Sequence, residues 1–272
     1  MSGFLDAMAH VSRERVRAAI ARESRADLQR RAERKALGPQ LRLSPQHFDV
    51  IAEIKLRSPA AGLLGHADDW LGRAAAYARG GAAAVSVLTE PTRFDGSLDH
   101  LQQAAAVLAP LGVPAMRKDF LVDPYQVVEA RAAGAGGVLV ILRMLSAECI
   151  GELLDAARVH GLFVLLEAFD EADLELARRL LDGHRDGTIL IGVNSRDLQT
   201  LQVVQERFAL LAPVLPEGAA CVAESGVATS ADAHAMRRLG YRLALIGTAL
   251  MSHDEPALLL AEILKAARTV PA

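Results

Sequence analysis

Apolar residues along this 272-residue chain gather into eight short runs. They are Val50–Ile54, Ala82–Leu88, Val113–Met116, Gly137–Leu142, Leu162–Leu166, Thr188–Val193, Ala220–Ala223 and Leu243–Ile246. Near-continuous apolar runs fit parallel strands covered on both faces. Stretches with helical spacing separate them, so the pattern reads as repeated βα units. Eight such units close into a barrel, and the predicted fold is α/β: a (β/α)8 TIM barrel over residues 46–272. Residues 1–45 are predicted to be a helical extension packed on that barrel. Within it, Leu5, Met8, Val11, Val16 and Ile20 contribute an apolar stripe between Phe4 and Leu37. Gly38 and Pro39 end the helix before the first strand.

Most of the runs stop at or near a polar residue able to do chemistry. In chain order these are Glu53 and Lys55, Thr89 and Glu90, Lys118, Arg143, Glu167, Asn194 and Arg196, Glu224 and Ser225, and Gly247 and Thr248. A closed barrel gathers such ends at one rim, where active sites of this architecture sit. Strand alternation sends Glu53 and Lys55, with Ile51, to one face, while Ala52 and Ile54 face the helices. An inward acid and base so close together perturb each other's pKa. Asn194 and Arg196 repeat that spacing, and Lys118 follows Met116 on one face of the third strand. Any one of these is an ordinary polar residue where a strand meets a loop; their recurrence at successive strand ends marks a site. Ser225-Gly226 and Gly247-Thr248 follow the last two strands, the usual phosphate seat of such barrels, and glycine lets backbone N–H groups approach an anion.

Composition narrows the partners. A formal charge of −3 gives no reason to expect nucleic acid or a membrane. Between Arg13 and Lys35 nine cations face four acids, which reads as a solvated helical face. Cys149 and Cys221 lie far apart beside apolar segments and read as buried free thiols. The histidines, among them His10, His66, His100, His160 and His184, show no metal-ligand spacing, so no metal is expected. Neither a G-x-S-x-G turn nor a dinucleotide loop occurs; Gly134-Ala135-Gly136-Gly137 reads as a helix-to-strand turn. No run reaches the length of a membrane span, and no signal-peptide core is evident, so a cytoplasmic location is expected. The alanine-rich outer helices fit a monomer and a homodimer equally.

Several ordered motifs closely resemble indole-3-glycerol phosphate synthases. They include Ile51-Ala52-Glu53-Ile54-Lys55 with Ser58-Pro59, Ser86-Val87-Leu88-Thr89-Glu90, and Arg117-Lys118-Asp119-Phe120 with Asp123-Pro124-Tyr125-Gln126. Glu129 to Ala135, Gly192-Val193-Asn194, Ala223-Glu224-Ser225-Gly226 and Gly247-Thr248-Ala249-Leu250-Met251 continue the likeness. The resemblance implies a cofactor-free lyase acting on a small phosphorylated substrate, 1-(2-carboxyphenylamino)-1-deoxyribulose 5-phosphate. Its products are indole-3-glycerol phosphate, carbon dioxide and water, in tryptophan biosynthesis. By the family pattern, Lys118 is the general acid of ring closure, Glu167 and Lys55 serve later proton transfers, and Glu53 tunes Lys55. Asn194 and Arg196 position the anthranilate end and hydroxyl groups. Ser58, Ser225, Gly226, Gly247 and Thr248 hold the phosphate, with help from Lys55. Phe94, Phe120 and Leu142 wall the aromatic ring, and Glu224 matches a further site position.

The chain departs from the family pattern at Ser195, where a second Asn is expected, and at Phe169, where His is frequent. The Leu56-Arg57 and Ala60-Ala61 positions are also atypical. Ser195 should face away from Asn194 and Arg196 and act on the support of the site. These changes leave open a paralogue that takes a substituted anthranilate-derived substrate. A sugar-phosphate isomerase of related barrel type is disfavoured by the Lys55, Lys118 and Glu167 combination. A non-catalytic phosphate-binding barrel is disfavoured by the presence of Lys118 and Glu167.

Overall fold

A computed structural model describes residues 3–44, 48–58, 62–63, 69–184, 188–198 and 200–269; Pro59, Ala60, Ala61, His66 and the side chain of Ser58 lie outside this set. Two helices come first, α1 (Gly3–Arg22) and α2 (Arg25–Arg34). Strands and helices then alternate: β1 (Asp49–Ile54), α3 (Trp70–Arg79), β2 (Ala84–Leu88), α4 (Leu98–Leu108), β3 (Ala115–Lys118), α5 (Pro124–Ala133), β4 (Gly137–Ile141) and α6 (Ala147–Val159). The second half repeats the order with β5 (Phe163–Ala168), α7 (Glu171–Gly183), β6 (Ile189–Asn194), α8 (Glu206–Leu211), β7 (Ala220–Glu224), α9 (Ser230–Arg238), β8 (Leu243–Ile246) and α10 (Pro256–Arg268). The eight strands form one closed barrel in which every neighbouring pair is parallel, and β1 closes on β8.

Local signals explain the punctuation. Ser97, Asp123, Ser146, Asp170 and Thr229 each accept a backbone N–H at the start of a helix, satisfying a donor the helix cannot use itself. Gly134 ends α5 with φ of +92°, so the glycine cluster there is the expected turn into β4.

Burial follows the two-residue period. Val50, Ala52 and Ile54 pack outward against the helices, whereas Ile51 joins Met116, Leu139, Leu165, Leu190 and Leu243 inside the barrel. Phe163 fills the space opposite Gly137, where a β-carbon would come within 2.3 Å of its ring. Cys221 is buried and Cys149 only half-buried, both as free thiols. No described helix is long and apolar enough to cross a membrane.

The extension is two helices rather than one, broken where Ser24 caps α2. Leu28 and Ala32 of α2 are fully buried, and α2 packs on α5. Leu5, Met8 and Val16 of α1 join a buried cluster with Phe120, Val122 and Tyr125. The cations are not all a solvated face. Arg25 pairs with Asp123 at 2.9 Å, Arg31 with Glu23 at 2.8 Å, and Arg15 with Asp119 at 2.7 Å. Asp119, buried at the end of β3, accepts five hydrogen bonds, from two Arg15 nitrogens, Thr89, Arg117 and the Phe120 N–H. Ser12 completes the docking by donating its hydroxyl to the Phe120 carbonyl.

Candidate active site

The register decides which side chains meet. Leu88 pairs with Lys118, Ile141 with Glu167, and Asn194 with Glu224, so these inward positions reach the same rim. A cavity of about 330 Å³ opens there. Its floor is polar: Glu53, Lys55, Lys118, Glu167, Asn194 and Glu224. Phe94, Phe120, Leu139 and Ile141 form an apolar wall, extended by Phe4 and Leu5 from α1. Ser225, Gly226, Gly247, Thr248 and Arg196 also line it.

Two ion-paired groups organise the floor. Lys55 Nζ lies 3.0 Å from Glu53 Oε2 and 3.5 Å from Thr248 Oγ1. Lys118 Nζ lies 3.2 Å from Glu167 Oε2 and 3.5 Å from Glu224 Oε2. Burial disfavours the Lys118 charge, yet Glu167, Glu224 and Glu53 more than compensate and hold its pKa above the ordinary lysine value. Burial likewise opposes ionisation of Glu53, but Lys55 and then Lys118 keep its carboxyl below the usual range. Glu224 goes the other way. Burial, reinforced by Glu167, raises its carboxyl well above the ordinary value, and Lys118 offsets this only in part. Neither Glu224 oxygen accepts a hydrogen bond among the described residues. The floor therefore pairs a firmly charged ammonium with a carboxyl driven toward its neutral form.

Two glycines make room for the carboxylates. A β-carbon at Gly192 would stand 1.9 Å from Glu224 Oε1, and one at Gly247 would stand 2.3 Å from Glu53 Oε2. In a Gly192→Ala variant the flexible end of Glu224 must leave its seat. The expected result is a loss of about 10²-fold in kcat/KM, the scale of an ångström-level misplacement. Steady-state kinetics beside a thermal melt measure this, and an active variant with wild-type kinetics would refute the seat.

Polar groups at the rim divide into those facing the cavity and those bracing it. Asn194 Oδ1 accepts the Arg196 N–H at 2.9 Å, which leaves its amide nitrogen available as a donor. Arg196 Nη1 donates to the Leu201 carbonyl at 2.7 Å and so shapes its own loop. Thr89 supports Asp119, and Glu90 caps the short helix Pro91–Phe94 that carries Phe94. Arg143 binds Asp173 and stacks on Phe169 at 4.6 Å. These four braces, Thr89, Glu90, Arg143 and Phe169, lie outside the cavity lining.

Leu142 requires a correction. It is fully buried in the outer core and does not line the cavity, because it follows the inward Ile141 and so faces the helices. Leu139 and Ile141 occupy the wall instead. Ser58 lies in the two-residue strand Arg57–Ser58, which pairs with Gly62–Leu63. The sequence reading did not place Phe4, Leu5, Leu198, Leu201 or Val203 at the site. Leu5 belonged to the amphipathic stripe of α1, which signals burial but not what is buried against it.

Known proteins agree with this architecture. The family model described as indole-3-glycerol phosphate synthase matches residues 5–263. An indole-3-glycerol phosphate synthase of Nocardioides sp. strain JS614 is 46% identical over 207 residues, covering 76% of each chain. That of Mycolicibacterium gilvum strain PYR-GCK is 39% identical over 264 residues, covering 96% of this chain and 94% of its own. Among solved structures, a thiamine phosphate pyrophosphorylase from Pyrococcus furiosus aligns with a TM-score of 0.55 at 14% identity, over 82% of this chain and 95% of its own. One described as native KDPGal aligns with a TM-score of 0.57 at 17% identity, over 84% and 98%. Those two likenesses concern the barrel alone. From its match over nearly the whole length and its close relatives, the chain belongs to the indole-3-glycerol phosphate synthase family.

Proposed function

We propose that the rim cluster carries out the decarboxylative ring closure of tryptophan biosynthesis. The substrate is 1-(2-carboxyphenylamino)-1-deoxyribulose 5-phosphate, and the products are indole-3-glycerol phosphate, carbon dioxide and water. The observation that carries the reading is the seat of Lys118. Its ammonium lies between Glu167 and Glu224 on the cavity floor, with the wall of Phe94 and Phe120 and the glycine turns also lining the cavity. A substrate with an aromatic ring at one end and a phosphate at the other suits that division.

In this reading the ring carbon bearing the carboxylate attacks the ketone carbon, and Lys118 gives its proton to the ketone oxygen. Loss of carbon dioxide returns the bonding pair to the ring and restores aromaticity. The new hydroxyl then departs as water, with Lys55 and Glu167 handling the proton it needs and the proton the ring gives up. Glu53 holds Lys55 in place through their 3.0 Å ion pair. Asn194 and Arg196 orient the anthranilate end and the hydroxyl groups, while Ser225, Gly226, Gly247 and Thr248 receive the phosphate. Ser195 and Phe169 do not line the cavity, so neither departure favours a substituted substrate. A small anionic substrate and a formal charge of −3 fit a cytoplasmic enzyme whose work needs neither nucleic acid nor membrane.

Purified protein mixed with this substrate, without added metal or cofactor, is expected to develop indole fluorescence over many turnovers. A folded protein that binds the substrate and produces no indole product would overturn the assignment.

A further inference from the structure

The turn after β7 leaves ordinary backbone geometry: Ser225 has φ of +66° and Gly226 of +84°. Glycine enters that region freely, whereas a residue with a β-carbon does so only against a steric cost. Such a conformation persists only where its surroundings fix it. Two side chains from the segment after β6 supply the fixing. Ser195, fully buried, donates its hydroxyl to the Ser225 carbonyl at 2.9 Å. Gln205, which is exposed, donates its amide to the Gly226 carbonyl, also at 2.9 Å.

Peptide planarity converts these two bonds into a statement about the cavity. In a trans peptide the N–H points opposite to the C=O, and the described chain has no cis bond. Drawing both carbonyls toward Ser195 and Gln205 therefore turns the N–H groups of Gly226 and Val227 the other way. Neither N–H makes a hydrogen bond among the described residues, and both residues line the cavity. The packing leaves this turn little freedom, since a β-carbon at Gly226 would come 2.7 Å from Val203 and 3.4 Å from Ser195 Oγ. The segment is itself braced, because Arg207 binds the carbonyls of Asn194 and Arg196 at 2.7 and 3.1 Å.

We infer that Ser195 and Gln205 are positioning residues for the substrate phosphate, setting the two peptide planes whose N–H groups receive it. The inference rests on the phosphate seat proposed above and extends it to side chains that never touch the ligand. Ser195→Ala removes only the hydroxyl. The backbone bonds from Ser195 N–H to Glu224 and from Val204 N–H to the Ser195 carbonyl remain.

Inorganic phosphate, titrated as a competitive inhibitor of the full-length enzyme, is the probe. Thr248→Val should weaken phosphate inhibition and thereby locate the seat. Ser195→Ala and Gln205→Leu should each raise the phosphate inhibition constant about 5-fold, the scale of one lost hydrogen bond. KM for the phosphorylated substrate should rise in parallel, with kcat changed less than about 2-fold by the same reasoning. The kcat/KM for the dephosphorylated substrate should match wild type, which general loosening of the barrel would not allow. Gln205→Leu alters an exposed side chain and decides the matter should Ser195→Ala fail to fold. If Thr248→Val weakens inhibition while Ser195→Ala and Gln205→Leu match wild type, the positioning inference is overturned and the seat stands. If wild type is not inhibited, or Thr248→Val inhibits as wild type does, the seat falls and the inference with it.

Discussion

Replacing Lys118 by methionine is expected to lower kcat by about 10³-fold or more, with a much smaller change in KM. A positioned general acid contributes on the order of 10²–10⁴-fold, and in the proposed role the ammonium also stabilises the developing oxyanion. Substrate binding should persist, because the aromatic wall and the phosphate turns stay intact. Three carboxyls face this one cation, and Glu224 is already driven toward its neutral form. Without the ammonium Glu224 is driven further toward its neutral form, which relieves the repulsion among the acids, so the variant is expected to fold. Since the surrounding acids hold the Lys118 pKa above the ordinary lysine value, the free enzyme keeps this group charged throughout the neutral range. An alkaline fall of kcat/KM near neutrality must then arise elsewhere, in the substrate or another residue. Single-turnover measurement of indole formation separates chemistry from binding, and a variant with near-normal kcat would remove Lys118 from the role of acid.

Asp119→Ala is expected to destabilise the protein by about 3 kcal/mol, because it removes a fully buried acceptor of five hydrogen bonds and takes from Arg117 one of its two acidic partners, leaving only Glu129. A Tm drop of roughly 10 °C follows for a chain of this size. The same group gives a pH signature. Burial alone would raise the Asp119 carboxyl, but Arg117, Arg15 and Thr89 hold it down to about 2, from an ordinary value of 3.8. A carboxyl depressed in the folded state contributes stability above its unfolded pKa. That contribution fades as pH falls through roughly 4 to 2, and amounts to on the order of 2 kcal/mol. Urea unfolding across that range should show the loss in wild type and a shallower dependence in Asp119→Ala. Equal slopes would mean that Asp119 does not carry the linkage. Because Arg15 docks α1 onto this carboxylate, the variant should also bind substrate less tightly through a displaced Phe4 and Leu5.

The eight strands were legible because burial on both faces removes polar alternation and leaves runs that only a covered parallel sheet explains. Inward Glu53, Lys118, Glu167 and Glu224 were legible for the same reason: a charged residue closing an apolar run has few places to go except the rim. Leu142 was placed by resemblance and not by alternation: β4 ends at the inward Ile141, and Leu142, the first residue of the short turn Leu142–Met144, packs among the helices. Parity along a strand is reliable only while the strand lasts. Thr89, Glu90 and Arg143 show the same limit, since they sit at strand ends yet turn to brace loops. Phe4 carries no local mark at all. Its place depends on docking contacts such as Arg15 to Asp119, 104 residues apart in the chain, and no periodicity within α1 records that distance. The loop bearing Leu201 and Val203 is equally silent, since an isolated bridge from Arg196 to Val203 and a positive φ at Leu201 organise it.

Gly192 and Gly247 bear on any attempt to move this chemistry to another eight-stranded scaffold. A designer copying the visible parts would transfer the lysines, the glutamates and the asparagine, and would arrive with acids that have nowhere to sit. The seat of Glu224 belongs to the neighbouring strand and that of Glu53 to the residue after β8. The transferable unit is therefore a side chain together with the missing side chain beside it. A graft that ignores the second half would reproduce the composition of the site without its shape.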